Sequence, residues 1–176
     1  MSLPEDLSDI IRGEKVIWIG KPKLSPFILK RLPGTVPLLV FMLFPLFIFR
    51  LGGIWSTPAT FFIVLFLAFW YGTLLLVFFS LTVYPLLAWR NIYYVLTDKK
   101  LIVRRGVIGI DFDILKLELV QQVNVNVGVI DKIYGTGSII VQAVGVQPLV
   151  IENVENPLKV REVIDEQLVE ISRRLG

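Results

Sequence analysis

Three hydrophobic patterns follow one another along this chain. From Leu32 to Trp89 there is no polar period at all: 58 consecutive residues carry one charged side chain, Arg50. After Asn91 the period becomes two. Ile108, Ile110, Phe112 and Ile114 alternate with Val107, Gly109, Asp111 and Asp113, and Val123, Val125, Val127 and Val129 alternate with Asn124, Asn126 and Gly128. At the C-terminal end the spacing turns helical, with Leu158, Val160, Val163, Ile164, Leu168, Ile171 and Leu175 on one stripe. Helices without a polar face, antiparallel sheet with one solvated face, and one amphipathic helix follow from these periods.

At ~1.5 Å rise per residue the first pattern is on the order of 85 Å of apolar helix. A domain of this size cannot cover it, whereas a hydrocarbon core ~30 Å thick takes about 20 residues per crossing. Arg50 divides the run. Eighteen uncharged residues lie between Arg31 and Arg50, with Pro37 suited to a first helical turn and Pro45 expected to kink the interior. Between Arg50 and Arg90 there are 39 residues, which is too few for two crossings and a turn. Tyr71–Gly72–Thr73 offers the one mid-run turn, without a supporting Asn, Asp, Ser or Pro cluster. The expectation is therefore two spans, about 36–53 and 58–82, the second starting at Pro58 and leaving the hydrocarbon between Phe79 and Tyr84. Residues through Pro85 to Trp89 would run along or out of the interface, and Tyr84, Trp89, Tyr93 and Tyr94 fit an aromatic belt. Pro45 and Gly72 could help the spans pack.

Basic residues set the orientation. Lys15, Lys21, Lys23, Lys30 and Arg31 precede the first span, and Arg90, Lys99, Lys100, Arg104 and Arg105 follow the second; the Arg50–Thr57 loop holds one. The positive-inside rule then places both termini in the cytoplasm. The organisation expected is a cytoplasmic N-terminal arm (1–34), a transmembrane hairpin (35–90) and a C-terminal domain (91–176).

Turn signals at Thr97–Asp98–Lys99, Arg105–Gly106, Gly135–Thr136–Gly137 and Gly145–Val146–Gln147–Pro148 divide the period-two region. They predict strands at 92–96, 100–105, 107–113, 116–120, 123–127, 138–143 and 147–151. Val129–Tyr134 reads as a helical turn packing Ile130 and Ile133. The last helix has Asn156 as N-cap, Pro157 at its first position and Arg173 and Arg174 at its negative end. Its stripe would plug a small sheet barrel or sandwich.

Composition narrows the chemistry. Hydrophobic residues are 55% of the 176 and the net charge is +3, with all fifteen acids before Lys15 or after Thr97; mean hydropathy is +0.71. There is no Cys and no His, which removes disulfides, thiolate catalysis, Cys/His metal sites and imidazole acid–base chemistry. Acids at Glu5, Asp6, Asp9 and Glu14 do not suit a cleaved signal peptide.

Three stretches carry a family resemblance. Gly13–Glu14–Lys15–Val16–Ile17–Trp18–Ile19–Gly20–Lys21–Pro22 is one, and Tyr93–Tyr94–Val95–Leu96–Thr97–Asp98–Lys99–Lys100–Leu101–Ile102 with Arg105–Gly106 is the second. The third is Val120 and Val123–Asn124–Val125 followed by Asp131–Lys132–Ile133–Tyr134–Gly135–Thr136–Gly137–Ser138–Ile139. In order and spacing they resemble the bacterial and archaeal pleckstrin-homology-like (YdbS-type) membrane proteins; Lys100 stands where that family often has Arg. The resemblance implies an α+β membrane protein: a two-helix hairpin, then a PH-like antiparallel barrel or sandwich of two near-orthogonal sheets closed by a C-terminal helix. It implies no enzymatic activity and no ligand.

Candidate chemistry is sparse. Gly135–Thr136–Gly137 is followed by a strand, so it suits a turn rather than a phosphate loop. Asp111 and Asp113 lack further oxygen ligands for a divalent ion and suit a solvated face. Lys99, Lys100, Arg104 and Arg105 have two readings. They can be positive-inside residues that fix topology, or a basic hairpin contacting anionic headgroups at about 1 kcal/mol each. Trp18 suits packing on the domain or a place at the interface. No catalytic group, metal or cofactor is expected. The function expected is a non-catalytic, membrane-anchored module that meets the bilayer, anionic phospholipid headgroups, a membrane or cytoplasmic protein, or a second copy of itself, and not nucleic acid. An enzyme acting on membrane lipid would need a nucleophile or base cluster. A transporter subunit would need polar groups within its spans, and these spans have no acid, Lys, Asn or Gln.

Overall fold

Residues 4–52 and 60–175 are described in the structure, a computed structural model. In chain order the elements are α1 (Glu5–Ile10), β1 (Val16–Gly20), α2 (Leu24–Leu29), α3 (Val36–Gly52), α4 (Thr60–Arg90), β2 (Tyr93–Thr97), β3 (Lys100–Arg105), β4 (Asp111–Lys116), β5 (Val120–Asn126), α5 (Val129–Tyr134), β6 (Thr136–Ala143), β7 (Leu149–Glu155) and α6 (Pro157–Leu175). Tight 3-10 turns at Leu32–Thr35 and Leu117–Leu119 lead into α3 and β5. The class is α+β, with a four-stranded sheet β1-β2-β3-β4 and a three-stranded sheet β5-β6-β7, all antiparallel. The two sheets do not join into a closed barrel.

Seven strands were expected and seven form, but they are not the same seven. Val107–Ile110 forms a bend instead of the start of a strand, and 117–119 takes a 3-10 turn, so the expected strands 107–113 and 116–120 give way to β4 alone. The further strand is β1, from the N-terminal arm, where no strand was expected. It pairs antiparallel with β2 through Trp18↔Leu96 and Gly20↔Tyr94. Accordingly the residues up to Phe27 and from Leu87 onward cluster as one compact unit, and Ile28–Leu86 as another.

The arm also explains why β2 and β3 hold such unbroken apolar runs. Val95 and Ile102 sit opposite each other on one sheet face, and there they cluster with Leu7 and Ile11, from α1 and the turn after it. The neighbouring pairs Leu96↔Leu101 and Tyr94↔Val103 occupy the other face. All of these are buried, together with Ile139, Val141, Ile151 and Ile164 of the second sheet and α6. A strand covered on both faces loses its alternation.

Two local expectations change here. Ile133 is 74% exposed while Asp131 is 3% exposed, so α5 turns its acid inward. The reason is polar pairing: Asp131 accepts from the Gly128 N–H (3.0 Å) and the Thr136 hydroxyl (2.9 Å), tying both ends of the short helix. Gly135, at φ +64°, ends α5 and β6 starts at Thr136, as the turn reading requires. On α6, Val160 and Ile164 are buried but Leu158 is exposed, because Pro157 instead seats against Gly137; the Leu175 side chain lies outside the described residues.

In the second unit, α3 begins at Val36 and carries Pro45 in its interior. The expected helix start at Pro58 and the end of the first span at 53 lie outside the described residues. Helix α4 runs unbroken through Pro85 to Arg90. Proline removes one N–H bond, to the Leu81 carbonyl, and a single missing rung between intact turns bends a helix without ending it. The helices meet through Trp70, whose ring lies 4.9 Å from Phe41 and 6.3 Å from Phe44, and through Tyr71, whose hydroxyl donates to the Met42 carbonyl at 3.2 Å. Gly72 faces open space, so aromatic stacking makes this contact in place of a small-residue approach. Leu24–Pro45 and Thr60–Arg90 are both long and apolar enough to cross a bilayer, and no side chain of the α4 stretch is buried.

Candidate interaction surface

Two of the motifs that carry the resemblance meet in space, 83 residues apart. Glu14 accepts from the Thr97 hydroxyl (2.9 Å) and pairs with the Lys100 ammonium (3.0 Å). Beside them, Lys15 and Asp98 exchange two hydrogen bonds, the Lys15 N–H to the Asp98 carboxylate and the Asp98 N–H to the Lys15 carbonyl, each 3.0 Å. Lys100 also donates to the Ile10 carbonyl at 2.9 Å. Gly20 has a separate reason: a Cβ there would lie 2.3 Å from the Trp18 indole, which folds across it. Trp18 therefore packs on its own strand.

This pairing decides how the four basic candidates stand. Lys100 is held by Glu14. Arg104 is buried, with its Nε 2.7 Å from Asp6 and a terminal nitrogen 3.0 Å from the Asn91 carbonyl. Arg105 is exposed and lies 3.1 Å from Asp113. Lys99 is exposed at the β2–β3 turn and makes no ion pair among the described residues. Lys99 and Arg105 flank opposite ends of β3, roughly 20 Å apart at ~3.3 Å per residue, so the four do not converge on one point. Asp111 and Asp113 lie along the β4 edge beside Arg105, and among the described residues no three acids gather as a metal site would need.

The aromatic residues are redistributed too. Of the expected belt, Tyr84 is exposed on α4, but the other three belong to the domain. Trp89 Nε1 donates to the Pro22 carbonyl at 2.6 Å, and Tyr93 lies under the Lys21 ammonium, 3.8 Å from the ring centroid. Tyr94 spans the sheets: its hydroxyl donates to the Glu152 carbonyl and accepts from the Glu152 N–H, both at 3.1 Å. Burial pushes this phenol up to about 12, so it stays neutral and serves as a strut.

An open cleft of about 660 Å³ lies where the chain enters the domain after Leu87. Lys21 and Arg90 supply its charge, and Trp89, Tyr93 and Val107 are among the side chains that line it. No acid lines it. Lys21 also donates to the Arg90 carbonyl at 3.1 Å, which caps the end of α4 and leaves the Arg90 side chain exposed. In the sequence Lys21 belongs to the first family motif and both Lys21 and Arg90 are topology signals, but nothing there brings the two together. Their closeness depends on β1, and no period announces so short a strand.

The sequence model of the family described as bacterial PH domain matches residues 34–170. No curated protein and no solved structure matches the chain.

Proposed function

This chain belongs to the bacterial PH domain family, and on that premise we propose that it is a non-catalytic interaction module anchored at the cytoplasmic face of a membrane. PH-like domains are interaction domains in general. The observation that carries the anchoring is α4: its 31 residues have no buried side chain and no charge before Arg90. In water, such a surface would far exceed the apolar patch a monomer tolerates. In a bilayer every backbone group of the helix is satisfied internally.

The excess of basic residues on both flanks supports the N-in, C-in hairpin. The narrower likeness to the YdbS-type proteins rests on the three motifs. The surface offered would bind a protein partner, a second copy, or anionic headgroups. Strand addition suits the outer strands β4 and β5. Because Glu14 and Asp6 hold Lys100 and Arg104, headgroup contact by the first hairpin falls mainly to Lys99 and Arg105.

Protease protection tests the reading directly. In sealed, right-side-out cells the 91–176 segment should survive external protease and be cut once the membrane is opened. Cutting in intact cells would reverse the orientation, and release of the intact chain by alkaline carbonate would remove the anchor. Crosslinking in native membranes then separates a protein partner from lipid.

A further inference from the structure

The bend between β3 and β4 exposes apolar side chains where a solvated loop would carry polar ones. Ile108 is 99% exposed and Ile110 is 51% exposed. The bend is built to be tight: Gly106 adopts φ +127°, and a Cβ there would come within 1.9 Å of the Gly109 carbonyl oxygen. No other residue type fits without opening the turn, so Val107–Ile108–Gly109–Ile110 is held out as a firm tip.

Its position gives it a use. Val107, at the root of the tip, lines the same cleft as Leu87, Trp89, Arg90 and Lys21. The tip therefore stands beside the point where the apolar helix joins the domain, with two cations next to it. Arg105 lies at its base. Asp111 and Asp113 answer Arg105 on the β4 side, so the uncompensated cations beside the tip are Lys21 and Arg90, and apolar residues next to such a pair suit the boundary between acyl chains and anionic headgroups. Resting on the membrane-anchor reading above, we propose that the 107–110 tip inserts into the cytoplasmic leaflet as a second contact, with anionic phospholipid headgroups lying against Arg90 and Lys21. The domain would then be held at two points, which fixes the face it turns to the cytoplasm.

Absence of native cysteine makes the test clean. Single-cysteine variants Ile108→Cys, Leu75→Cys and Glu166→Cys of the full chain carry an environment-sensitive fluorophore. Each is reconstituted in vesicles of phosphatidylcholine and phosphatidylglycerol at 3:1, with and without lipid-borne nitroxide quencher. Residue 75 reports the anchor, and exposed residue 166 on α6 reports bulk water. The expected result is blue-shifted, quenched emission at 75 and at 108 and neither at 166.

Water-like emission at 108 with a lipid-like signal at 75 overturns the tip contact and leaves the anchor standing. Water-like emission at both overturns the anchor reading itself. A blue shift at 108 that disappears as the protein is diluted in lipid assigns the tip to a second copy, and also overturns the proposal. Ile110→Cys repeats the measurement on the other side of the tip. In vesicles of phosphatidylcholine alone, quenching at 108 should fall; undiminished quenching overturns the headgroup part. In the 3:1 vesicles, Arg90→Gln should lower it in the same way.

Discussion

Helix α4 and the strand pair β2–β3 are both apolar without alternation, yet they meet opposite surroundings. Ile102 and Val95 vanish between α1 and the sheet, while Leu75 and Phe69 on α4 remain open. Hydrophobicity sets how much surface must leave water, and the available neighbours decide where it goes. For the strands the neighbours are Leu7 and Ile11, brought from the far side of the hairpin in sequence. For α4 they would be acyl chains. On the anchor reading, the same kind of residue serves fold stability in one region and membrane partition in the other.

The most forceful way to break that comparison is to shorten one side chain in each region. Ile102→Ala should cost about 2–5 kcal/mol of domain stability by leaving a cavity, read as a lower unfolding midpoint of the full chain in detergent. Leu75→Ala should leave that midpoint in place. Equal losses would mean that α4 is packed like the sheet. Next comes charge. Leu75→Lys should cost about 3 kcal/mol of insertion near the middle of a span, seen as a larger fraction extracted by alkaline carbonate. Glu166→Lys on α6 should extract like the unaltered chain. If Leu75→Lys also extracts like the unaltered chain, α4 is not in hydrocarbon.

A third variant asks whether the arm belongs to the sheet. Leu7→Ala should cost about 2 kcal/mol, at the low end for a buried Leu because the short helix α1 can settle inward. The sharper readout is amide exchange: Val95 and Ile102 should exchange faster while Ile139 and Ile151 keep their protection. Uniform acceleration would show that α1 stabilises the whole domain and not that one face.

Legibility followed the range of the interactions. Two apolar runs, the strand pair 93–97 and 100–105, and the closing helix from Pro157 can each be read locally, because period and cap residues lie within a few positions. That one helix fills the second run was readable from its lack of a turn cluster, and it carries Pro85 in its interior. Strand β1 was not legible because its partner is β2, across the hairpin, and its five residues show no decisive alternation. Ile108 shows the limit most clearly. Its alternation with Val107 and Gly109 is genuine, but the φ of Gly106 and its closeness to the Gly109 carbonyl turn the pattern into a bend. Lys100 and Arg104 were legible as cations and not as partners, since Glu14 and Asp6 lie on the other side of the hairpin in sequence.

Tyr94 sharpens the comparison at its finest scale, because it places a polar atom inside the apolar pair β2–β3. Its hydroxyl replaces two water contacts with the Glu152 N–H and carbonyl. Tyr94→Phe should therefore cost about 1 kcal/mol near neutral pH, less than any truncation above. The pH dependence is the more specific signature. Burial raises the phenol from 10.0 to about 12, so between these values the unfolded chain loses a proton that the folded chain keeps. Stability is unaffected by this group below pH 10 and falls as pH rises toward 12, since the folded state binds more protons across that window. The Phe variant lacks the titration and should lose less over the same range, so the gap between the two curves narrows as pH rises. The comparison also subtracts lysine deprotonation, which both chains share. A gap that stays constant to pH 12 would show that Tyr94 ionises as freely in the fold as outside it, and that the two sheets are not closed over its ring.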